Sequence, residues 1–387
     1  MKYYYIGLLS IVLLLSACSS DVELNAPYKS TTIVFGLLNP DVNNDGVTSA
    51  LDTQWVKINR TFLGEGDNTS YAAIRDSSEY DDEDIEIMVV QQMDEDDVVH
   101  EYPLHSMEVS NKSIEGIFYG PAQTVYYFIP DNGMSQDYEY QIYIKFTDGR
   151  EVTGRTNLID NEFQWLVPQT GFPLVLANIA GSNSVSYVDP VSYKWYSPEN
   201  AAFYSGTLRL YYTEEVYASS DWTVPPISST EKWIDYEVGD IEQGETQAGQ
   251  IMTLGFYGGS FFDYLGNTLE KSPNIRRIIG HYDNSISKTI CFEAIMTVAN
   301  EELATYVEVN TPSGSIVQER PVYTNINNGL GLFASRAISR VKNLPLIAVD
   351  GQLGIPNEGN LYALIVASNT SGLNFCDPNG TSDFPCD

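Results

Sequence analysis

Residues Tyr138-Glu-Tyr-Gln-Ile-Tyr-Ile-Lys-Phe146 alternate bulky and polar side chains, turn at Thr147-Asp148-Gly149, and resume as Glu151-Val-Thr-Gly-Arg-Thr156. A period of two sends successive side chains to opposite faces of a strand, a sorting that a helix does not produce. With the Asp-Gly turn between them, the two runs read as a β-hairpin. Two more pairs follow the same pattern. Ile85-Glu-Ile-Met-Val-Val90 and Val98-Val99 flank the acidic turn Asp94-Glu-Asp-Asp97, and Ile33-Val-Phe-Gly-Leu-Leu38 pairs with Gln54-Trp-Val-Lys-Ile-Asn59. Short strands with turns at these intervals predict a β-sandwich of the immunoglobulin or fibronectin kind over residues 25–158.

From Phe163 the pattern restarts. Strands are expected near Val185–Tyr196, Ala202–Tyr212, Ile251–Tyr257 and Thr289–Thr297, with Pro225-Pro226 interrupting a loop that contains Trp and Ser. Two helices are expected, Phe261–Leu269 and Glu301–Val307. The second follows Asn300, a good N-cap, and carries acids in its first turn. No periodic repeat or low-complexity segment is present. The length is that of two domains rather than one. The chain thus reads as mainly β with minor helices: a sandwich over 25–158, a second β-rich domain over 163–345, joined around 159–164, and a C-terminal extension over 346–387. The 27 tyrosines suit half-buried sheet faces.

The start of the chain reads as an address. Lys2 supplies one positive charge, an apolar stretch runs from Ile6 to Leu15, and small residues lead to Cys18. That is the layout of a secretory signal over residues 1–17, too short to span a bilayer as a helix. Leu15-Ser16-Ala17-Cys18 resembles the lipobox, in which the cysteine thiol is acylated and becomes the new N-terminus. The resemblance implies a protein held to a membrane by lipid on Cys18, with residues 18–24 as a tether. Two or three acyl chains on one residue anchor far better than a single chain. Ser19 resembles an outer-membrane sorting signal, and Asp21 and Glu23 resemble the acidic export signal of Bacteroidota surface lipoproteins.

The net charge of −32, from 52 acids against 20 Lys and Arg, excludes a nucleic-acid binder because phosphates would be repelled. Eleven acids lie between Asp76 and Asp97 with no Lys or Arg among them, either a solvated rim or a weak divalent-ion surface. Of the four cysteines, Cys376 and Cys386 share a polar segment with Pro and Gly. In an oxidising compartment they are expected to close a small disulfide loop. Cys291 lies in an apolar run with no basic partner nearby in sequence and reads as a small buried hydrophobe.

Catalytic motifs are scarce. His100, His105 and His281 have no zinc-site spacing, no Gly-x-Ser-x-Gly elbow is present, and no glycine-rich loop is built to cradle phosphate. Carboxylate pairs of the glycosidase kind carry no information in so acidic a chain. One constellation is sharper. Asp41-Val-Asn-Asn-Asp-Gly-Val-Thr-Ser-Ala-Leu-Asp52 offers Asp41, Asn43, Asp45, the Val47 carbonyl and Asp52 at the spacing of an EF-hand-like calcium loop. It looks like the loops of dockerin modules, but strands flank it and no second copy follows. A polar hairpin turn is the alternative.

Three stretches carry a family resemblance. Val22-Glu-Leu-Asn-Ala-Pro-Tyr28 leads into the Ile33 strand, Trp55-Val-Lys-Ile-Asn-Arg-Thr-Phe-Leu-Gly-Glu-Gly66 follows, and Pro321-Val-Tyr-Thr-Asn-Ile-Asn-Asn-Gly-Leu-Gly-Leu-Phe-Ala334 comes late. Together they resemble a family of uncharacterised Bacteroidota lipoproteins with a domain of unknown function. Such proteins look like partners of TonB-dependent outer-membrane transporters. The resemblance implies a non-catalytic binding or accessory role at the outer membrane, and no catalytic residues. The alternatives are a structural or adhesive envelope protein stabilised by calcium, and a hydrolase with an unrecognised carboxylate site.

Overall fold

Strands dominate the structure, a computed structural model that describes residues 30–40, 53–62, 68–113, 115–130, 133–160, 163–180, 184–242, 248–283, 288–310, 322–344, 348–349, 356–357, 359–377 and 386. In chain order the first part holds β1 (Thr32–Leu38), β2 (Gln54–Arg60), the short helices α1 (Asn68–Ala72) and α2 (Arg75–Ser78), β3 (Ile85–Asp94), β4 (Asp97–Pro103), β5 (His105–Val109), β6 (Gln123–Phe128), β7 (Glu139–Phe146) and β8 (Glu151–Asn157). All three hairpins expected from alternation are present, as β1–β2, β3–β4 and β7–β8. In β7 the period of two is complete: Tyr140, Ile142, Ile144 and Phe146 are buried and the residues between them are not. They meet Val34, Leu38, Val56, Ile58, Tyr126 and Phe128 from the facing sheet in one core. Each such side chain contributes roughly 1.5–3 kcal/mol through burial.

The second part contains β9 (Gln164–Val167), β10 (Ala177–Ala180), β11 (Ser184–Tyr187), β12 (Val191–Tyr196), β13 (Phe203–Val216), β14 (Ser228–Glu242), β15 (Ile251–Phe256), α3 (Gly258–Thr268), β16 (Ile275–Ile279), β17 (His281–Asp283), β18 (Lys288–Ile290), β19 (Phe292–Ala299), α4 (Glu301–Asn310), β20 (Ile326–Asn327), β21 (Gly329–Leu344) and α5 (Gly359–Ile365). Its core gathers Trp195, Tyr193, Phe261, Phe262, Phe292 and Leu361 among others. Both expected helices form, and each is longer than its apolar pattern suggests. Residues beyond 346 do more than extend the chain. Asn360 in α5 is buried, accepting from the amides of Leu176 (2.8 Å) and Ala177 (3.1 Å) and donating to the Leu174 carbonyl (2.7 Å). Leu361, Leu364, Leu373 and Phe375 then join the second core.

One strand ties the two cores together. The first half of β21 runs parallel to β1, from Thr32 opposite Gly329 to Leu38 opposite Ser335; its second half runs antiparallel to β19, from Ala299 opposite Arg336 to Phe292 opposite Leu344. The sheet is continuous through both parts in the order β16-β13-β19-β21-β1-β2-β6-β5, with β14 on the far side of β13. The second sheet of the first part has the order β20-β8-β7-β3-β4. Phe333 and Ile326, from the far end of the sequence, therefore complete the first core.

Cross-strand register also places the ion pairs. β13 and β16 align Glu214 with Arg277 and Glu215 with Arg276. Because neighbouring residues face opposite sides, Glu214 meets the buried Arg277 (2.9 Å) and Glu215 meets Arg276 (2.7 Å) on the other face. Burial pushes both carboxyls up, but hydrogen bonds and the facing cations outweigh it and hold them below the usual glutamate range. A carboxyl depressed in the folded state stabilises fully above its unfolded value and loses that contribution as pH falls through the folded value. Urea unfolding should therefore give stability that is flat from pH 7 to about 5 and declines below about 4.5. A Glu214→Gln/Glu215→Gln variant should be less stable at neutral pH and decline less steeply; an unchanged slope would rule these pairs out as its source.

Candidate functional site

On β1 and β2 the inward residues fill the first core, which leaves Phe35 and Trp55 on the outer face, 41% and 45% exposed. Large aromatics at that exposure leave apolar ring surface open to contact. Trp55 leans on Tyr127 of β6 (ring centroids 5.5 Å apart), and Tyr127 on His105 of β5 (5.7 Å). Helix α4 rises over the same face, where Tyr306 meets Phe35 edge-on at 6.1 Å. Asn300 fixes the start of that helix. Its Oδ1 accepts from the Leu303 amide (3.4 Å), while its Nδ2 donates to Thr156 Oγ1 (2.7 Å) and the Asn157 carbonyl (3.1 Å) at the end of β8.

Between helix and sheet lies a groove of about 560 Å³. Its floor is Phe35 and Leu37 of β1, Trp55 and Lys57 of β2, Val125 of β6 and Leu332 of β21; Leu303 and Tyr306 form a wall. At one end stand Asn39, Thr53, Gln54 and Arg336. Gln54 is held by Asn39, accepting from its amide (2.8 Å) and donating to its carbonyl (3.3 Å). The Asn39 side-chain Oδ1 and the Arg336 Nε are both buried and have no hydrogen-bond partner.

Lys57 is committed elsewhere. Its ammonium lies 3.3 Å from Glu79 and donates to the Thr124 carbonyl. Burial lowers its pKa, against the opposing pull of Glu79. Glu79 is itself buried and accepts from Arg75 (2.9 Å) and from the Thr124 hydroxyl (2.7 Å). Burial works to raise the Glu79 carboxyl, yet these bonds and the Lys57 charge hold it below the usual range. This network lines a second, polar cleft of about 350 Å³ with Asp76, Asp81, Asp82 and Glu108. With Glu79 fully engaged, the cleft reads as an ion-pair network that clamps α2 to the sheet.

Cys18 and the loop residues Asp41, Asn43, Asp45, Val47 and Asp52 lie outside the described residues, although the groove begins on either side of that loop, at Asn39 and Thr53. Cys376 and Cys386 are joined by a disulfide. Cys291 is half-buried against the second core. Of the histidines, His100 packs on Tyr102 and His105 on Tyr127. Among the described residues no group of three or more His, Cys, Asp or Glu side chains is arranged to hold a metal ion. The acid-rich stretch 76–97 is spread over α2, the turn after it and the β3–β4 hairpin, with Glu79 turned inward.

Leu303, Tyr306 and Arg336 are functional candidates that the sequence pattern does not single out. They lie in α4 and β21, more than 240 residues from Trp55. Exposed Phe35 and Trp55 were legible only as the off-beat positions of two alternating strands. No helix among the described residues is long and apolar enough to cross a membrane. Compared with known protein families and with curated proteins, the chain matches none.

Proposed function

We propose that the protein is a non-catalytic binding protein, held at the outer membrane by lipid on Cys18 and facing the cell exterior, where it serves as an accessory of a TonB-dependent transporter. The observation that carries the binding role is the groove: exposed aromatics line it, and two buried polar atoms at its end, Arg336 Nε and Asn39 Oδ1, are without partners. Native proteins rarely leave such atoms unsatisfied, and a binding site is one setting that explains them. Among the described residues that line the groove none is an Asp or Glu.

The first part fits an immunoglobulin- or fibronectin-like sandwich. The strand orders β1-β2-β6-β5 and β8-β7-β3-β4 correspond to the two sheets of that architecture. Tyr140, at the start of β7, donates its hydroxyl to the Ser135 carbonyl (3.2 Å), as the tyrosine corner of such domains does. A rigid sandwich that presents a groove on one outer face suits display rather than turnover.

The anchor rests on the Leu15-Ser16-Ala17-Cys18 motif. Wild-type protein should incorporate labelled palmitate and sediment with outer membranes, whereas Cys18→Ala should do neither; a variant that still sediments would remove the lipid from the account. Affinity isolation of the lipidated protein from detergent-solubilised outer membranes should recover a transporter. Recovery of none would end the accessory role while leaving the groove untouched.

A further inference from the structure

We infer that the groove binds a small organic anion, an aromatic or aliphatic carboxylic acid that also carries a hydrogen-bond donor, with its carboxylate on Arg336. The inference rests on the binding role of the groove and adds the chemistry of its occupant. The chain has 52 acids and 20 Lys and Arg, yet the described residues that line the groove include one Lys, one Arg and no acid. Such a local reversal of charge favours an anion.

Of the two cations, Lys57 is bound to Glu79 and Thr124. Arg336 is held in no ion pair among the described residues, and its buried Nε–H has no acceptor. A guanidinium presents a fork of N–H donors that matches the two oxygens of a carboxylate. By strand register Arg336 stands one position past the Leu38–Ser335 pair, at the level of Asn39. Asn39, whose buried Oδ1 has no partner, lines the same end of the groove and is the acceptor nearest in register for a hydroxyl or amide hydrogen of the ligand. Phe35, Trp55 and Tyr306 supply apolar faces for its body. The volume, about 560 Å³, is that of a small-molecule site, well short of a macromolecular interface.

N-acetyl-phenylalanine has the three features of such a ligand, and its amide, N-acetyl-phenylalaninamide, differs only in lacking the charge. Titration calorimetry on the folded chain should show the acid binding about tenfold tighter than the amide, as expected for one charged hydrogen-bonded contact. Arg336→Met should erase that preference, and Trp55→Ala should weaken both ligands alike. Equal affinity of wild-type protein for acid and amide would overturn the anion while the groove stands as a binding site. Binding of neither probe, or binding that Trp55→Ala leaves unchanged, would overturn the groove itself. One rival occupant is the chain's own acidic segment 41–52. If Arg336→Met and Asp41→Asn/Asp52→Asn lower the melting temperature equally and without additivity, that segment holds Arg336 and the proposal falls.

Discussion

Gly331→Ala is expected to destabilise the protein by about 4 kcal/mol, a cost in the exceptional range for one methyl group. Gly331 has φ +111°, a backbone conformation that costs a side-chain-bearing residue on the order of 1–3 kcal/mol. The larger share is steric. A Cβ at Gly331 would sit 2.0 Å from the Val34 carbonyl oxygen, a backbone atom in the neighbouring strand that cannot rotate away. β1 and β21 would have to separate at the middle of their parallel pairing, where Val34 lies opposite Gly331. Gly149→Ala is the control. That glycine also has positive φ (84°), but no atom lies within 4 Å of the added carbon, so only the backbone cost of about 1–2 kcal/mol should appear. Denaturant unfolding of the two variants measures the difference. Equal costs would mean that conformation alone, and no strand contact, makes Gly331 necessary. Because Leu332 and Phe35 of the same strand pair floor the groove, Gly331→Ala should also weaken probe binding there.

The same stretch shows what the sequence could reveal and what it could not. The glycines of Asn328-Gly-Leu-Gly-Leu-Phe333 suit a tight turn entering a buried segment. The turn is there: Asn328 has φ 56°. The buried segment, however, is a 16-residue strand, and Asn325 brackets it by donating to the Phe333 carbonyl (2.6 Å) and accepting from its amide (2.9 Å). Leu332, Phe333, Ala334 and Ser335 are all buried, so the first half of β21 has no alternation to read, and a period of two returns only from Arg336 to Lys342. Hairpins such as β7–β8 were legible because one face is wet and the other dry. β14 was hidden for the opposite reason. It is paired along one side only, most of its side chains are exposed, and its Ser, Glu, Lys and Asp residues resemble the loop expected after Pro225-Pro226.

The groove was illegible for a topological reason. Phe35 and Trp55 come from the first hairpin, Tyr306 and Arg336 from elements some 250–300 residues later, and only the parallel docking of β21 on β1 brings them to one face. No local spacing encodes that. The sequence did encode its charge background, since a net charge of −32 makes a concavity conspicuous when its described lining residues hold no acid. The calcium-loop spacing between Asp41 and Asp52 adjoins the groove in sequence, so the two features most suggestive of recognition meet at Asn39 and Thr53.

Arg277→Ala should cost about 3–5 kcal/mol, the range for removing one member of a buried ion pair. Arg277 is 1% exposed and holds three acceptors at once: Glu214 (2.9 Å), the Leu373 carbonyl (2.8 Å) and the Glu270 carbonyl (3.1 Å). Its loss leaves those carbonyls without this donor, and Glu214 with only Lys232, a half-exposed partner. It also frees the C-terminal segment, because Arg277 lies opposite Phe375 in the strand pair that seats this segment on β16. Two features of the outcome separate these causes. If the stranded charge dominates, Arg277→Met/Glu214→Leu should recover most of the loss, since a buried ion pair and a well-packed apolar pair are often comparable in net stability. If docking of the C-terminal segment dominates, the double variant should stay destabilised, and the amides of Leu373 to Cys376 should exchange hydrogen faster than those of β13. A loss below about 1 kcal/mol in Arg277→Ala would place this arginine among ordinary surface pairs and contradict its burial.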